Sequence, residues 1–313
     1  MKNRVCFIVC WYGKLPNYFK LWEYSCSKNS MIDFLIFTDQ DYQSIYKNIN
    51  VIHMDLNNIS GLISHKLNLD VSIERPYKFC DFRPAYGVIF EDYIRQYDFW
   101  GHCDTDQVFG NIMDFLNDEI LSKYDRVNHL GHFCLYKNNT LMNNLYKQDG
   151  AVFNYREVFL SNCNYAFDEI TGIDMICKKN NISNYEIMDF ADIDVKHRRY
   201  MLNNNINYKK QYFFYSDGKL YFKYYENDEL KEKEIMYLHF QKKKPNIVIE
   251  DYDNSIYIGS IEYTDKENVQ VNPEGNSVKE KFEVVFYYMK KVTDFFKCNK
   301  EQKKIWIKQK KRG

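Results

Sequence analysis

The sequence predicts an α/β fold, a mainly parallel sheet flanked by helices with a helical C-terminal tail, and three observations lead to it. Arg4 to Cys10 and Ile32 to Phe37 are apolar runs of strand length, and a stretch of helical character, Pro16 to Lys28, lies between them. A run with no polar alternation suits a strand buried on both faces, as in a parallel sheet covered by helices. A further strand, Phe99 to Cys103, runs directly into Asp104-Thr105-Asp106.

In chain order, Trp11-Tyr12-Gly13 breaks the first strand, and Phe19, Trp22, Tyr24 and Cys26 mark the helix after it. Thr38-Asp39 closes the second strand, and Asn50 to Met54 is a third. Strand, helix and strand at this spacing form a βαβ unit. Ile73 to Asp81 leads into a predicted helix over Arg83 to Gln96, followed by the strand that ends at Asp104. Phe115 to Lys123 reads as a helix, His129 to Lys137 as a strand and Asp168 to Asn180 as an amphipathic helix. Tyr208 to Tyr225 interleaves aromatic and polar residues, predicting a hairpin that turns at Ser216-Asp217-Gly218. Ile235 to Phe240 is a late strand with His239 near its end. Thr264 to Lys279 is polar and reads as a linker, and Phe282 to Ile307 as a helix. The organisation is therefore a main domain over residues 1–263, a linker over 264–280 and a basic amphipathic helix over 281–313.

The bulk numbers exclude some classes. At 313 residues and 45% hydrophobic content the chain can bury a proper core and is not disordered. Forty-three basic residues balance 43 acidic ones, which argues against a nucleic-acid partner. The balance is uneven: Lys290 to Gly313 holds ten basic residues against Asp294 and Glu301, so this tail carries +8 and the remainder −8. The nine cysteines form no Cys-x-x-Cys pair, and Cys6, Cys10, Cys103 and Cys134 lie among apolar residues, as reduced thiols of a cytoplasmic protein would. With no signal-peptide pattern and no run of ~20 apolar residues, the expected location is cytoplasmic, soluble or peripheral on the inner face of the cell membrane. Aromatics reach 18%, which fits either codon bias or rings stacked on sugar faces.

No Gly-x-Gly fingerprint and no phosphate-binding Walker loop is present, so a nucleotide must be held another way. Asp104 and Asp106 supply one. Ligands of open α/β sheets bind at the carboxyl ends of strands. Two carboxylates placed there repel unless a cation lies between them. Mn²⁺ or Mg²⁺ takes such oxygens and leaves room for substrate phosphates. The plain alternative is a solvated turn. The second signal is His239-Phe240-Gln241-Lys242-Lys243-Lys244, where the imidazole can join the same metal and the lysines can neutralise a departing diphosphate.

These residues carry a family resemblance. Pro-Tyr-Lys-Phe-Cys-Asp-Phe-Arg-Pro-Ala-Tyr-Gly from Pro76, with Tyr-Asp-Phe-Trp-Gly-His-Cys-Asp-Thr-Asp-Gln-Val-Phe-Gly up to Gly110, resembles an uncharacterised group of bacterial polysaccharide-cluster glycosyltransferases, found near capsule and O-antigen genes. The group is similar to the GT-A enzymes of glycosyltransferase families eight and thirty-two. The resemblance spans roughly Val5 to Lys244 and implies a GT-A, Rossmann-like catalytic domain. It implies Asp104, Asp106 and His239 as metal ligands, with Thr105 between the acids, and Lys242 or Lys244 on the phosphates. Trp11, Tyr12 and Gly13 would lie along the nucleotide, and Asp39 would bind the base. Lys78, Asp81 and Arg83 would stand near the donor, although Asp81 and Arg83 also suit a mutual pair. Asp168 and Glu169 would stand over the donor sugar, to orient it or to act as base for an acceptor hydroxyl; the alternative is a helix N-terminus, where acids are favoured. Gly131-His132 is a further pocket candidate, and Asp192, Asp194, His197 and Arg198 read as a solvated face.

The implied activity is transfer of a hexose from a UDP-sugar to a glycan or lipid-linked acceptor in surface polysaccharide synthesis, with retention of configuration. The rivals are a nucleotidyltransferase, for which Trp11 to Leu15 is a poor loop, and a non-catalytic carbohydrate-binding protein. In the tail, Val284, Val285, Tyr288, Val292, Phe295 and Phe296 recur at helical spacing among lysines, with Trp306 further on. This suits either an interfacial helix on anionic lipid or a packed helix with a solubilising end.

Overall fold

The computed structural model describes residues 3–197, 200–241, 243, 255–258, 261–263, 269–271 and 277–311. Three parallel strands come first, β1 (Val5–Trp11), β2 (Ile32–Thr38) and β3 (Ile49–His53), then β4 (Phe99–Cys103) beside β1. The strands β6 (Arg126–Leu130), β7 (Phe133–Lys137) and β8 (Asn184–Tyr185) complete a seven-stranded sheet in the order β3-β2-β1-β4-β7-β6-β8. Only β7 runs against its neighbours, so the sheet is mainly parallel.

Side chains of β1 alternate between two cores. Cys6 and Ile8 face Leu35, Phe37, Trp100 and Tyr136. Val5, Phe7 and Val9 face Phe34, Ile36, Phe99 and the ring of Trp22 from helix α1 (Phe19–Ser27). Burial on both faces is the physical reason these strands lack polar alternation. All nine cysteines are unpaired thiols.

Helix α2 (Leu56–Leu67) follows β3; Asp55 caps its start by accepting from the Asn58 amide, and Asn68 closes it in the left-handed region at φ 52°. Ile59 and Ile63 are buried on its inner face, and Leu56, Leu62 and Leu67 pack partly against the same core. The helix predicted over Arg83 to Gln96 is instead a series of short turns, Arg83–Ala85, Tyr86–Ile89 and Glu91–Ile94. The break falls at Phe90, which leaves helical geometry and packs its ring 4.3 Å from that of Phe37. The predicted helix from Asp168 also gives way, to a π-turn over Ile170–Asp174 and one short helix, Met175–Lys179. There a Cβ on Gly172 would lie 2.0 Å from the Phe167 carbonyl oxygen, so this close approach excludes every larger residue.

Beyond β4 the chain enters a second layer. Strands β5 (Gln107–Phe109), β9 (Phe190–Asp192) and β13 (Tyr237–His239) make a three-stranded sheet in the order β5-β13-β9. The expected hairpin is present as β10 (Gln211–Ser216) and β11 (Lys219–Glu226), turning at Asp217 and Gly218 with φ of +49° and +81°. Positive φ at both central residues matches the right-handed twist of the strands. With β12 (Glu229–Glu234) and β14 (Ser255–Ile258) the hairpin forms a four-stranded sheet.

The polar stretch expected as a linker contains a strand, Val269–Val271, paired with Ile261–Tyr263. The tail is two helices rather than one, Ser277–Lys297 and Lys300–Lys310, the second capped by Asn299 accepting from the Gln302 amide. The second helix docks: Ile305 is buried, and Gln302 and Gln309 bond to Asn164, Tyr165 and Thr171. Among the described residues no helix is long and apolar enough to cross a membrane.

Candidate metal centre and cleft

Asp104-Thr105-Asp106 is where the chain crosses from the large sheet to the small one. The Asp104 amide donates to the His132 carbonyl, 2.9 Å, beside β7, and two residues later the Asp106 carbonyl accepts from the Phe240 amide, 2.9 Å. The antiparallel pairing of β5 with β13 sets His239 opposite Gln107, and the parallel pairing with β9 sets it beside Asp192. Two carboxylates and an imidazole distant in sequence thus converge.

His239 Nε2 stands 3.5 Å from Asp106 Oδ1 and 3.9 Å from Asp104 Oδ2, and ligand atoms of all three residues lie within 4.8 Å of one another. Ligands of an octahedral cation at about 2.1 Å stand ~3.0 Å apart when adjacent and ~4.2 Å when opposite. The His239 separations, 3.5 and 3.9 Å, are wider than adjacent positions and narrower than opposite ones, so the groups would draw together by less than about 1 Å to hold a small divalent cation. His239 Nδ1 bonds to Asp192 Oδ1 at 2.8 Å, which turns Nε2 toward the two acids, and Gln241 donates to the other Asp192 oxygen at 2.7 Å. A carboxylate behind a ligating imidazole is the usual way a protein fixes ring orientation.

The electrostatics point the same way. Burial disfavours the imidazolium of His239, but hydrogen bonds to Asp106 and Asp192 and the nearby charge of Asp104 outweigh it, and the pKa is pushed up to about 10. Burial raises the Asp106 carboxyl above its ordinary value, with the Asp104 charge adding to it, against the lowering effect of His239. Negative charge is in surplus here, and a proton on His239 answers it where a cation would. His132 stacks on His239 with ring centroids 4.0 Å apart and shares its Nε2 with the Tyr237 hydroxyl, 3.1 Å. Burial and the His239 charge hold the His132 pKa well below the ordinary value.

This centre opens into a cleft of about 690 Å³ lined by Trp11, Tyr12, Tyr18, Arg83, Asp168 and Glu169 among others. Arg83 is its hinge-pin: it donates to Asp104 Oδ1 and, through its other nitrogen, to Asp168 Oδ2 at 3.0 Å. The second Asp104 oxygen remains turned to His239, so the arginine and the cation site use different oxygens. Asp168 is 3% exposed, and burial pushes its carboxyl well up against the lowering effect of Arg83. Glu169 is exposed at the cleft.

The remaining expected residues divide. Trp11, Tyr12 and Thr105 line the cleft. Gly13 and Asp39 do not: the Gly13 amide donates to Asp39 at 2.9 Å, a contact that fastens the loop after β1 to the end of β2. That bond and one from Gln40 lower the Asp39 carboxyl although desolvation acts the other way. Lys78 and Asp81 are also not in the lining. Lys78 is buried and donates to Asp81, 2.8 Å, and to the carbonyls of Val158, 2.6 Å, and Cys163, 2.7 Å. Asp81 accepts in turn from the amides of Tyr165 and Phe167. The pairing of Asp81 with Arg83 is therefore not formed; each has another partner, because Asp81 points into the core and Arg83 into the cleft. Lys242, Lys244 and Arg198 lie outside the described residues.

Asp192 is the main correction. Expected on a solvated face, it sits in the cleft on β9 as the partner of His239. Its signal was present: Phe190-Ala191-Asp192 is a short apolar run ending in an acid, the pattern of Cys103-Asp104 repeated. Asp194 is likewise mostly buried, with Lys196 at 3.2 Å.

Residues 7–268 match a family of unknown function (DUF6625), which ends short of the two C-terminal helices. No curated protein matches the chain.

Proposed function

The chain belongs to the DUF6625 family, and with that premise we propose that it is a metal-dependent glycosyltransferase of GT-A type. It moves a hexose from a UDP-sugar to a glycan or lipid-linked acceptor in surface polysaccharide synthesis. The observation that carries this reading is the convergence of Asp104, Asp106 and His239 at the junction of two sheets, open to a cleft of nucleotide-sugar size. The mainly parallel sheet with its acids at the carboxyl end of an inner strand supports it further.

Asp104, Asp106 and His239 would hold Mn²⁺ or Mg²⁺, which when bound supplies positive charge to the diphosphate of the donor. The chain's own residues provide the rest. Asp192 keeps His239 in its ligating orientation. Trp11 and Tyr12 offer aromatic surface along the cleft, Tyr12 held by stacking on Phe79 at 5.0 Å. Arg83, fixed between Asp104 and Asp168, adds a cation beside the diphosphate position. Asp168 is committed to Arg83 and acts as a positioning residue. Glu169 faces the cleft and is the acid placed to orient the donor sugar or take the proton of the attacking hydroxyl.

The test is a donor screen that measures nucleotide release from UDP- and GDP-sugars with and without Mn²⁺. Metal-dependent release of UDP from one of them is the expected result. Pyrophosphate as product would replace this reading with nucleotidyl transfer. Glycan binding without metal or donor turnover would replace it with a binding protein.

A further inference from the structure

The two C-terminal helices differ in what they do with their apolar side chains. Lys300–Lys310 buries Ile305 against the main domain and bonds to Asn164, Tyr165 and Thr171. Ser277–Lys297 instead leaves Phe282, Val285, Phe286, Met289, Val292 and Phe296 exposed, each more than half so. At 100° per residue these six fall within one stripe about 120° wide. Lys281, Lys290 and Lys297 flank the stripe on its two sides. An exposed row of large apolar groups of this extent marks an interaction surface. Its occupant must accept apolar side chains and also tolerate a segment whose net charge is +8 between Lys290 and Gly313.

We propose that helix Ser277–Lys297 lies in the surface of an anionic lipid bilayer, apolar stripe inward and lysines at headgroup level. Phenylalanine, valine and methionine on one face with lysines at its margins is the composition of interfacial helices. Negative surface potential would draw the basic end in. No described helix can cross the bilayer, so attachment is to its surface. The docked helix Lys300–Lys310 then joins the membrane-bound segment to residues 161–171, the stretch that carries Asp168 and Glu169. The proposal stands apart from the sugar-transfer reading, since it uses neither the metal centre nor the cleft.

The experiment is sedimentation of the full chain with vesicles of phosphatidylcholine alone or mixed with phosphatidylglycerol. Binding to the mixed vesicles only is expected, weakening as salt rises from 0.1 to 0.5 M, in keeping with a Debye length that shrinks from about 10 Å to a few Å. The double variant Phe286→Glu with Met289→Glu should lose at least about tenfold in binding. Both side chains are exposed, so its thermal unfolding should match that of the wild type. Equal sedimentation with both vesicle types, or unchanged binding by the double variant, would overturn the proposal. So would a dimer in vesicle-free solution that the double variant returns to monomer, because a second copy would then cover the stripe. No arm depends on donor turnover, so failure here leaves the glycosyltransferase reading untouched, and the reverse holds too.

Discussion

Lys78 and Asp81 stand near Asp104 and Asp106 in sequence, yet the two pairs join different clusters in the structure. Lys78 and Asp81 are sealed in the core: one ammonium meets a carboxylate and two carbonyls, and that carboxylate accepts two further amides. Asp104, Asp106 and His239 face a cleft, and their mutual contacts are loose, 3.5 and 3.9 Å. The first cluster has satisfied its hydrogen bonds inside the protein. In the second, Arg83 and His239 answer the charge of Asp104, Asp106 and Asp192, three carboxylates against two cations. A charged group whose partners are all internal serves the fold, whereas a cluster with shifted pKa values facing a cleft is a candidate ligand site.

Substitution should separate the two most sharply. Asp81→Asn leaves the buried Lys78 ammonium without its counter-charge and should cost about 3–5 kcal/mol of stability, measured as a fall in the urea midpoint. Any activity loss should follow the folded fraction. Asp106→Asn should do the opposite, lowering UDP release by roughly 10²–10³-fold while the urea midpoint holds or rises, because burial already disfavours that carboxylate. Near-normal turnover in Asp106→Asn would remove the metal role. A smaller effect is expected one layer out: Asp192→Asn keeps the shape but weakens the hold on His239 Nδ1, and Mn²⁺ affinity by titration calorimetry should fall about 10–100-fold.

The same contrast explains what was legible in the sequence. β1, β2 and β4 were, because strands buried on both faces read as apolar runs whatever surrounds them. The place of Asp104 and Asp106 in a cleft was, because both follow a buried strand and ligand clefts of such sheets lie at the strands' carboxyl ends. Lys78 and Asp81 were misplaced by resemblance alone, since nothing local distinguishes a lysine that turns inward to three acceptors from one that turns to a ligand. Asp192 ends a short apolar run as Asp104 does, which marks a strand end, but its pairing with His239 comes from β9 meeting β13 across 47 residues, and the local run does not report that. The two broken helices failed for a similar reason, as the Phe90 ring and the Gly172 backbone answer to tertiary neighbours.

The finest test of the comparison is pH. In the metal-free protein His239 is raised from near 6.5 to about 10 by its carboxylate partners, which outweigh burial. A folded-state pKa above the unfolded one means that the folded state binds the extra proton. The stabilisation is therefore complete below about pH 6.5 and is lost as pH rises toward 10. Metal binding runs the other way, because Mn²⁺ must displace that proton from Nε2. Between pH 6 and 8 the affinity for Mn²⁺ should rise by up to about tenfold per unit from this group, and the metal-free melting temperature should decline. His239→Gln should flatten both slopes together. Slopes that survive the substitution would assign the proton to another group, with Asp106 the nearest alternative.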